Sequence, residues 1–200
     1  QRGCFRVYDL PIAYWELRKS IYDTEAQRYP DWRETLQGAD DSPDKLARKT
    51  QEALDADLIV CPSDFVKDSI VQSKVGTKPI AVVPFGSPLS CQDQNPISHD
   101  IDGPLRVLFV ASLSLRKGLA DLFEAIKLLP KNSISFQVIG SLLKPLKFYQ
   151  SRCPTMDYLG TMPRTAVLDA MRRSDVLVLP SLAEGRALVI QEALSQGLPV

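Results

Sequence analysis

Histidine is almost missing from this chain: of 200 residues, His99 is the single one. One imidazole makes no H-x-x-x-H pair. The four cysteines, Cys4, Cys61, Cys91 and Cys153, make no C-x-x-C, so no ligand set has zinc-site spacing and no metal is expected. Thiols this scattered are expected to be reduced, in a cytoplasmic protein, and not joined in a disulfide frame. No apolar run approaches the ~18–20 residues that a membrane-spanning helix needs. An excess of charge is missing too. The 24 Lys and Arg balance 24 Asp and Glu, which excludes a domain that grips nucleic acid by bulk electrostatics. There is no G-x-G-x-x-G behind a strand and no G-x-x-x-x-G-K-[ST], so nicotinamide and P-loop chemistry have no support. No basic-then-apolar leader follows Gln1, and a signal peptide is not expected.

What is present is ordinary globular material, 44% hydrophobic and 24% charged, enough for one full core or two smaller ones. The charge is unevenly placed. Residues 1–103 hold 12 Lys/Arg against 17 Asp/Glu (−5), and 104–200 hold 12 against 7 (+5). Such an asymmetry suits two units, the second of which favours an anionic ligand.

The pattern agrees with two units. Leu10 to about Glu34 has the spacing of a partly buried amphipathic helix ended by Pro30, and Asp44 to Leu54 of a second. Leu58-Ile59-Val60-Cys61 reads as a buried strand. A helix capped by Ser63 and Asp64 and stopped by Gly76 follows, then a strand from Pro79 to Val83. Residues 86–104, with Gly86, Pro88, Asn95, Pro96, Gly103 and Pro104, have linker composition. The domain boundaries are therefore expected at 1–86, 87–104 and 105–200. In the last stretch, strands at Leu105–Ala111, Ile134–Ile139, Tyr158–Gly160 and Asp175–Leu179 alternate with helices at Gly118–Leu129, Pro163–Arg173 and Arg186–Gln196. This is the doubly wound α/β pattern. Gly197-Leu198-Pro199-Val200 is expected to launch another strand, and the chain reads as cut at both ends.

In such sheets ligands bind in the loops beyond the carboxyl ends of the strands. Three loops are candidates. In the first, Arg116 and Lys117 precede Gly118 at the amino end of a helix, where the macrodipole is already positive. Cations there are misplaced by a few tenths to ~1 kcal/mol each unless an anion shares the site. Together with the helix amides they make a phosphate clamp, and Gly118 lets the backbone approach a ligand. The second runs Pro180-Ser181-Leu182-Ala183-Glu184-Gly185-Arg186-Ala187. Here Ser181 and Glu184 fit an S-x-x-E capping box. Eight residues separate Glu184 from Glu192, about 12 Å along a helix. Two carboxylates so placed can accept pairs of hydrogen bonds from vicinal hydroxyls at either end of an extended sugar ligand. The third comprises Gly140-Ser141 and Gly160-Thr161, where a planar base could approach or a plain turn could stand. Asp55-Ala56-Asp57 spells D-x-D, but ahead of a strand and not behind one, so it is expected to be a helix end. His99 is expected on the surface.

R-K-G after the first strand of the second half, then P-S-x-x-E-G-x(6)-E-A-x(3)-G-L-P-V, resembles glycosyltransferase family four. That likeness covers most of residues 50–200, with Pro84-x-Gly86 matching the entry to the interdomain linker. Tyr8-Asp9-Leu10-Pro11 and Tyr29-Pro30-Asp31-Trp32 would close the acceptor-side domain. The resemblance implies a GT-B fold of two Rossmann-like parallel-sheet domains, both incomplete here. It implies transfer of a sugar from a nucleoside diphosphate sugar to a hydroxyl acceptor (glycan, lipid or small molecule) with retention, without cofactor or metal. In that frame Lys117 contacts the donor diphosphate and stabilises the leaving group, while Glu184 holds the hexose and Glu192 the ribose. Arg116, Gly118, Gly140, Gly160, Ser181, Gly185, Arg186 and Ala187 line the donor.

Four positions depart from the family. Ala111-Ser112 stand where a glycine and an arginine are common, and Arg186-Ala187 replace an aromatic-glycine pair. Arg116 or Arg186 could restore the missing cation. Two alternatives therefore stand beside the transferase: a non-catalytic nucleotide-sugar-binding partner, and an epimerase or phosphorylase on the same fold.

Overall fold

The computed structural model describes residues 3–90 and 103–200. Most of the expected linker, with Asn95, Pro96 and His99, lies outside the described residues. The chain packs as two compact units. One comprises Gln1–Pro30, Leu36–Gly86 and Ala183–Ala187, the other Asp31–Thr35, Ser87–Leu182 and Leu188–Val200. They are thus not the two consecutive stretches that composition suggests: one short segment of each half packs with the other.

The first unit is built on three parallel strands, β1 (Val7–Asp9), β2 (Leu58–Cys61) and β3 (Ile80–Val82), in the order β1-β2-β3. Tyr8 lies opposite Ile59, and Val60 opposite Ala81. Three helices, α1 (Trp15–Arg28), α2 (Pro43–Asp55) and α3 (Asp64–Val71), accompany the sheet. Ser42 caps α2 by accepting from the Lys45 amide at 3.3 Å, with Pro43 at the first helical position. Ser63 caps α3 in the same way, from Val66 N. Ile59 and Cys61 point into a core with Leu10, Tyr14, Ala53, Ala56, Val66, Ile70 and Val75. Two expectations fail here. The first helix starts at Trp15, not Leu10, and of its residues only Tyr22 and Glu25 are buried, so it has no continuous apolar stripe. And α3 ends at Val71, five residues before Gly76. Asp55 closes α2, and Asp57 accepts from the Arg6 amide at 2.7 Å, so the D-x-D is a helix end tied to β1's approach. Among the described residues no cluster of His, Cys, Asp and Glu could hold a metal ion.

One electrostatic knot fastens α2. Asp41, with a side chain 7% exposed, takes Lys45 at 2.6 Å and Lys49 as ion pairs, with Arg18 at 3.8 Å. The two lysine hydrogen bonds pull its carboxyl down to about 2. A carboxylate lowered in this way stabilises the fold above its unfolded value and loses that effect as pH falls through about 2. Asp41→Asn should therefore lower stability by about 1–2 kcal/mol at neutral pH. The difference from the parent should shrink between pH 4 and 2. Urea unfolding across that window tests it, and a gap independent of pH would dismiss the charge as its source.

The second unit carries four parallel strands, β4 (Leu105–Val110), β5 (Ile134–Ile139), β6 (Met156–Gly160) and β7 (Val176–Leu177), in the order β6-β5-β4-β7. The chain steps outward from β4 to β6 and then returns to β4's other flank, so the order reverses between β4 and β7. The helices are α4 (Leu119–Lys127), α5 (Leu146–Gln150), α6 (Arg164–Arg172) and α7 (Leu188–Ser195). Leu108, Ile139 and Leu177 pack against Val167, Met171, Ala193 and Leu198. Trp32 is buried with its ring edge-on to Phe123, Phe148 and Tyr149 at centroid distances of 5.8, 5.0 and 5.6 Å. Arg106 grips Asp175 with two guanidinium nitrogens, at 3.1 and 2.9 Å, and its amide donates to the same carboxylate at 2.7 Å. This ties the start of β4 to the start of β7.

The last strand is shorter than the apolar run Asp175–Leu179, although Val178 N still reaches Leu108 O at 2.9 Å. Pro163 caps α6 and does not begin it. Residues 197–200 form no strand, but Leu177 N donates to Pro199 O at 2.8 Å, which sets that segment beside β7.

Candidate functional site

The reversal of strand order fixes where a ligand can enter the second unit: between β4 and β7, beyond their carboxyl ends, where the following loops diverge. The β4 loop is held at almost every residue. Ala111 N donates to Ile139 O at 3.1 Å and Leu113 N to Ser141 O at 2.9 Å, while Leu113 O accepts from the Tyr149 hydroxyl at 2.7 Å. Leu115–Lys117 form a single 3-10 turn, closed by Gly118 N donating to Leu115 O at 2.8 Å. Gly118, with φ +71°, is then the N-cap of α4 and brings no side chain to its first-turn amides. The Arg116-Lys117 pair therefore stands immediately ahead of a helix amino end.

The β7 loop comes up against it. Leu182 N donates to Arg116 O at 2.9 Å, and a Cβ on Gly118 would lie 1.8 Å from Pro180 O. The structure thus brings Arg116, Lys117 and Gly118 together with Pro180 and Ser181. The hydroxyls of Ser114 and Ser181 are buried without a protein partner, an unfavourable state that a water or ligand oxygen would relieve. Gly140 lies against the same loop, where its Cβ would meet Ala111 O at 1.7 Å; its amide donates to Gly160 O at 2.9 Å. Gly160 faces open space.

The S-x-x-E capping box is absent. Helix α7 begins at Leu188, so Ser181 and Glu184 both precede it and no helical rise links Glu184 to Glu192. Residues Ala183–Ala187 belong instead to the first unit. There Gly185 O accepts from the Ser63 hydroxyl at 2.7 Å, and a Cβ on Gly185 would stand 1.8 Å from Pro11 O. Pro11 and Ser63 follow β1 and β2, so Glu184, Gly185, Arg186 and Ala187 lie along the carboxyl edge of the first sheet. Glu192, on α7 in the second unit, is 22% exposed at its side chain and accepts from Arg164 Nε at 2.8 Å. Sequence reasoning passes over Arg164, Thr35 and Tyr149. Only the helix-start position of Arg164 beside Pro163 is a local signal for any of them.

The fold is that of a known class. The chain is similar to sucrose-phosphate synthase from Thermosynechococcus elongatus, with 18% identity and a TM-score of 0.68 over 100% of this chain and 50% of that one. TarM is 12% identical, with a TM-score of 0.64 over 100% of this chain and 36% of its own. The UDP-forming α,α-trehalose-phosphate synthase of Burkholderia xenovorans is 16% identical, with a TM-score of 0.60 over 95% and 50%. The fold is that of the GT-B glycosyltransferases.

In sequence, residues 92–200 match the profile of the glycosyl transferases group 1, and the chain belongs to that family. The sulfoquinovosyl transferase SQD2 of Arabidopsis thaliana is 32% identical over 94 residues, 47% of this chain and 18% of its own. The chain thus spans half or less of the length of these relatives. Among the described residues no helix is long and apolar enough to cross a membrane.

Proposed function

We propose that the whole protein moves a sugar from a nucleoside diphosphate sugar to a hydroxyl acceptor with retention at the anomeric carbon, as a hexosyltransferase. The observation that carries this reading is the Arg116-Lys117-Gly118 turn, docked on Pro180–Leu182 where the strand order reverses. A diphosphate there meets two cations and a helix amino end. Lys117 donates to the phosphate oxygen that takes the electron pair as the glycosidic C–O bond breaks. The acceptor hydroxyl bonds to the anomeric carbon on the face the diphosphate leaves, and its proton passes to a phosphate oxygen. Glu192 holds the ribose, so the second unit's share of catalysis is charge stabilisation and positioning. No metal or cofactor enters this scheme. Relatives fit it: one solved structure of TarM, 12% identical with a TM-score of 0.61, holds UDP.

A panel of UDP, GDP and ADP and their sugars, titrated into the full-length protein with product analysis, tests the proposal. A new glycoside of retained configuration is expected. An isomerised donor would replace the reading by an epimerase. Binding without turnover would favour the partner-protein reading, which Ser112, Arg186 and Ala187 motivate.

The Arg164–Glu192 pair yields a further prediction. Arg164 occupies one oxygen of the ribose-binding carboxylate and fixes its direction. Arg164→Ala should weaken nucleotide binding about threefold, in line with an ion pair exposed on one side. Glu192→Ala should weaken it more, and titration calorimetry on both variants ranks them. The reverse order would remove Glu192 from the ribose.

A further inference from the structure

The turn that carries Lys117 depends on a residue 80 positions away. Leu115 N, which opens the turn, donates to Thr35 Oγ1 at 2.9 Å, and Thr35 in turn donates to Trp32 O at 2.7 Å. Both partners are sealed: Leu115 is 0% and Thr35 1% exposed. With both groups out of water, Thr35 Oγ1 is the acceptor that satisfies the Leu115 amide and helps to set its direction. Thr35 is itself fixed, because Trp32 sits among Phe123, Phe148 and Tyr149. Asp31 and Glu34, on either side of Trp32, take Arg152 at 2.8 Å and Lys144 at 3.1 Å. Tyr149 meanwhile holds Leu113 O, two residues before Leu115. The segment Asp31–Thr35 is therefore clamped in the second unit by an aromatic ring and two ion pairs, and its last residue presents one oxygen to the start of the Lys117 turn. It also lies outside residues 92–200, where the family resemblance in sequence resides.

We propose that Thr35 is a positioning residue for Lys117, orienting the turn through the Leu115 amide so that the ammonium meets the β-phosphate of the donor. This rests on the donor-site reading above. Its signature is selective. Lys117 acts on the diphosphate, not on base or ribose, so a misdirected turn should erase the preference for a nucleoside diphosphate over the monophosphate of the same base.

The test uses the full-length protein and titration calorimetry with the diphosphate that binds best among UDP, GDP and ADP, and with its monophosphate. Thr35→Val keeps the shape and removes the acceptor. It should weaken the diphosphate about tenfold, within the range of a hydrogen bond to a charged ligand, and leave the monophosphate unchanged. Thr35→Ser, which keeps the oxygen, should restore the preference. A merely structural role would lower Tm and weaken both nucleotides alike, which overturns the proposal. If Thr35→Val does not fold, Trp32→Phe loosens the same clamp and should reduce the preference about threefold; an unaltered preference there counts against the proposal. Lys117→Ala separates the two levels. If it leaves the preference intact, the donor-site reading itself fails; if it abolishes the preference while Thr35→Val does not, only the role of Thr35 falls.

Discussion

Lys117→Ala is expected to lower kcat about 100-fold or more, with a smaller effect on the affinity for intact donor. The size follows from what the ammonium does. In the proposed site the diphosphate is bound before reaction with its charge spread over several oxygens and shared by Arg116 and the amino end of α4. As the glycosidic bond breaks, one more negative charge collects on the leaving oxygen, and a fixed donor there acts mainly in the transition state. Removing one such donor in other enzymes lowers turnover roughly 10²–10³-fold. Lys117→Arg keeps the charge but not its reach, because a planar fork replaces a compact ammonium on a turn tied down at Leu115 and Gly118. It should recover only part of the loss. Steady-state kinetics on the full-length protein, with kcat and KM resolved, decide the matter. A variant in which KM rises and kcat holds would show Lys117 binding the ground state only.

Alternating strand and helix signals place β2, β4, β5 and β6 close to where they form, because each is a short, mainly apolar run next to Gly, Pro or a capping serine. The turn proposed to meet the phosphate is legible for a local reason too: two cations and a glycine between a strand and a helix. Its restraint is not, since Thr35 stands 80 residues from Leu115 and Ser63 stands 122 from Gly185. Neither a threonine nor a serine announces such a partner. The S-x-x-E signal at Ser181 illustrates the limit. It has the right letters for a cap, yet tertiary contacts claim the segment first. Leu182 N is taken by Arg116 O and Gly185 O by Ser63, and α7 can start only at Leu188. The apolar spacing of α1 misleads in the opposite way: Ile12, Trp15 and Ile21 have helical intervals, but the helix buries little besides Tyr22 and Glu25.

Gly118→Ala should remove the donor site by a different route, through the backbone. Two effects coincide at this residue. At φ +71° a side chain adds about 1 kcal/mol of strain. And the new Cβ would fall 1.8 Å from Pro180 O and 2.6 Å from Pro180 C, backbone atoms that cannot rotate aside as a long side chain would. The β4 and β7 loops must then part by more than an ångström, which breaks the Leu182 N to Arg116 O hydrogen bond and carries Lys117 with it. Gly197 supplies the control. Its φ is +75°, nearly the same, but a Cβ there meets nothing within 4 Å. Gly197→Ala should therefore lower stability by about 1 kcal/mol, whereas Gly118→Ala should lower it by roughly 3 kcal/mol or more and abolish detectable diphosphate binding. Thermal unfolding of both variants measures the difference, and calorimetry shows whether binding goes with it. Equal losses at the two glycines would mean that backbone conformation alone, and not the approach of the β7 loop, fixes residue 118. Loss of stability with binding retained would mean that the docking of Pro180 on Gly118 is not what places the cations at the ligand edge.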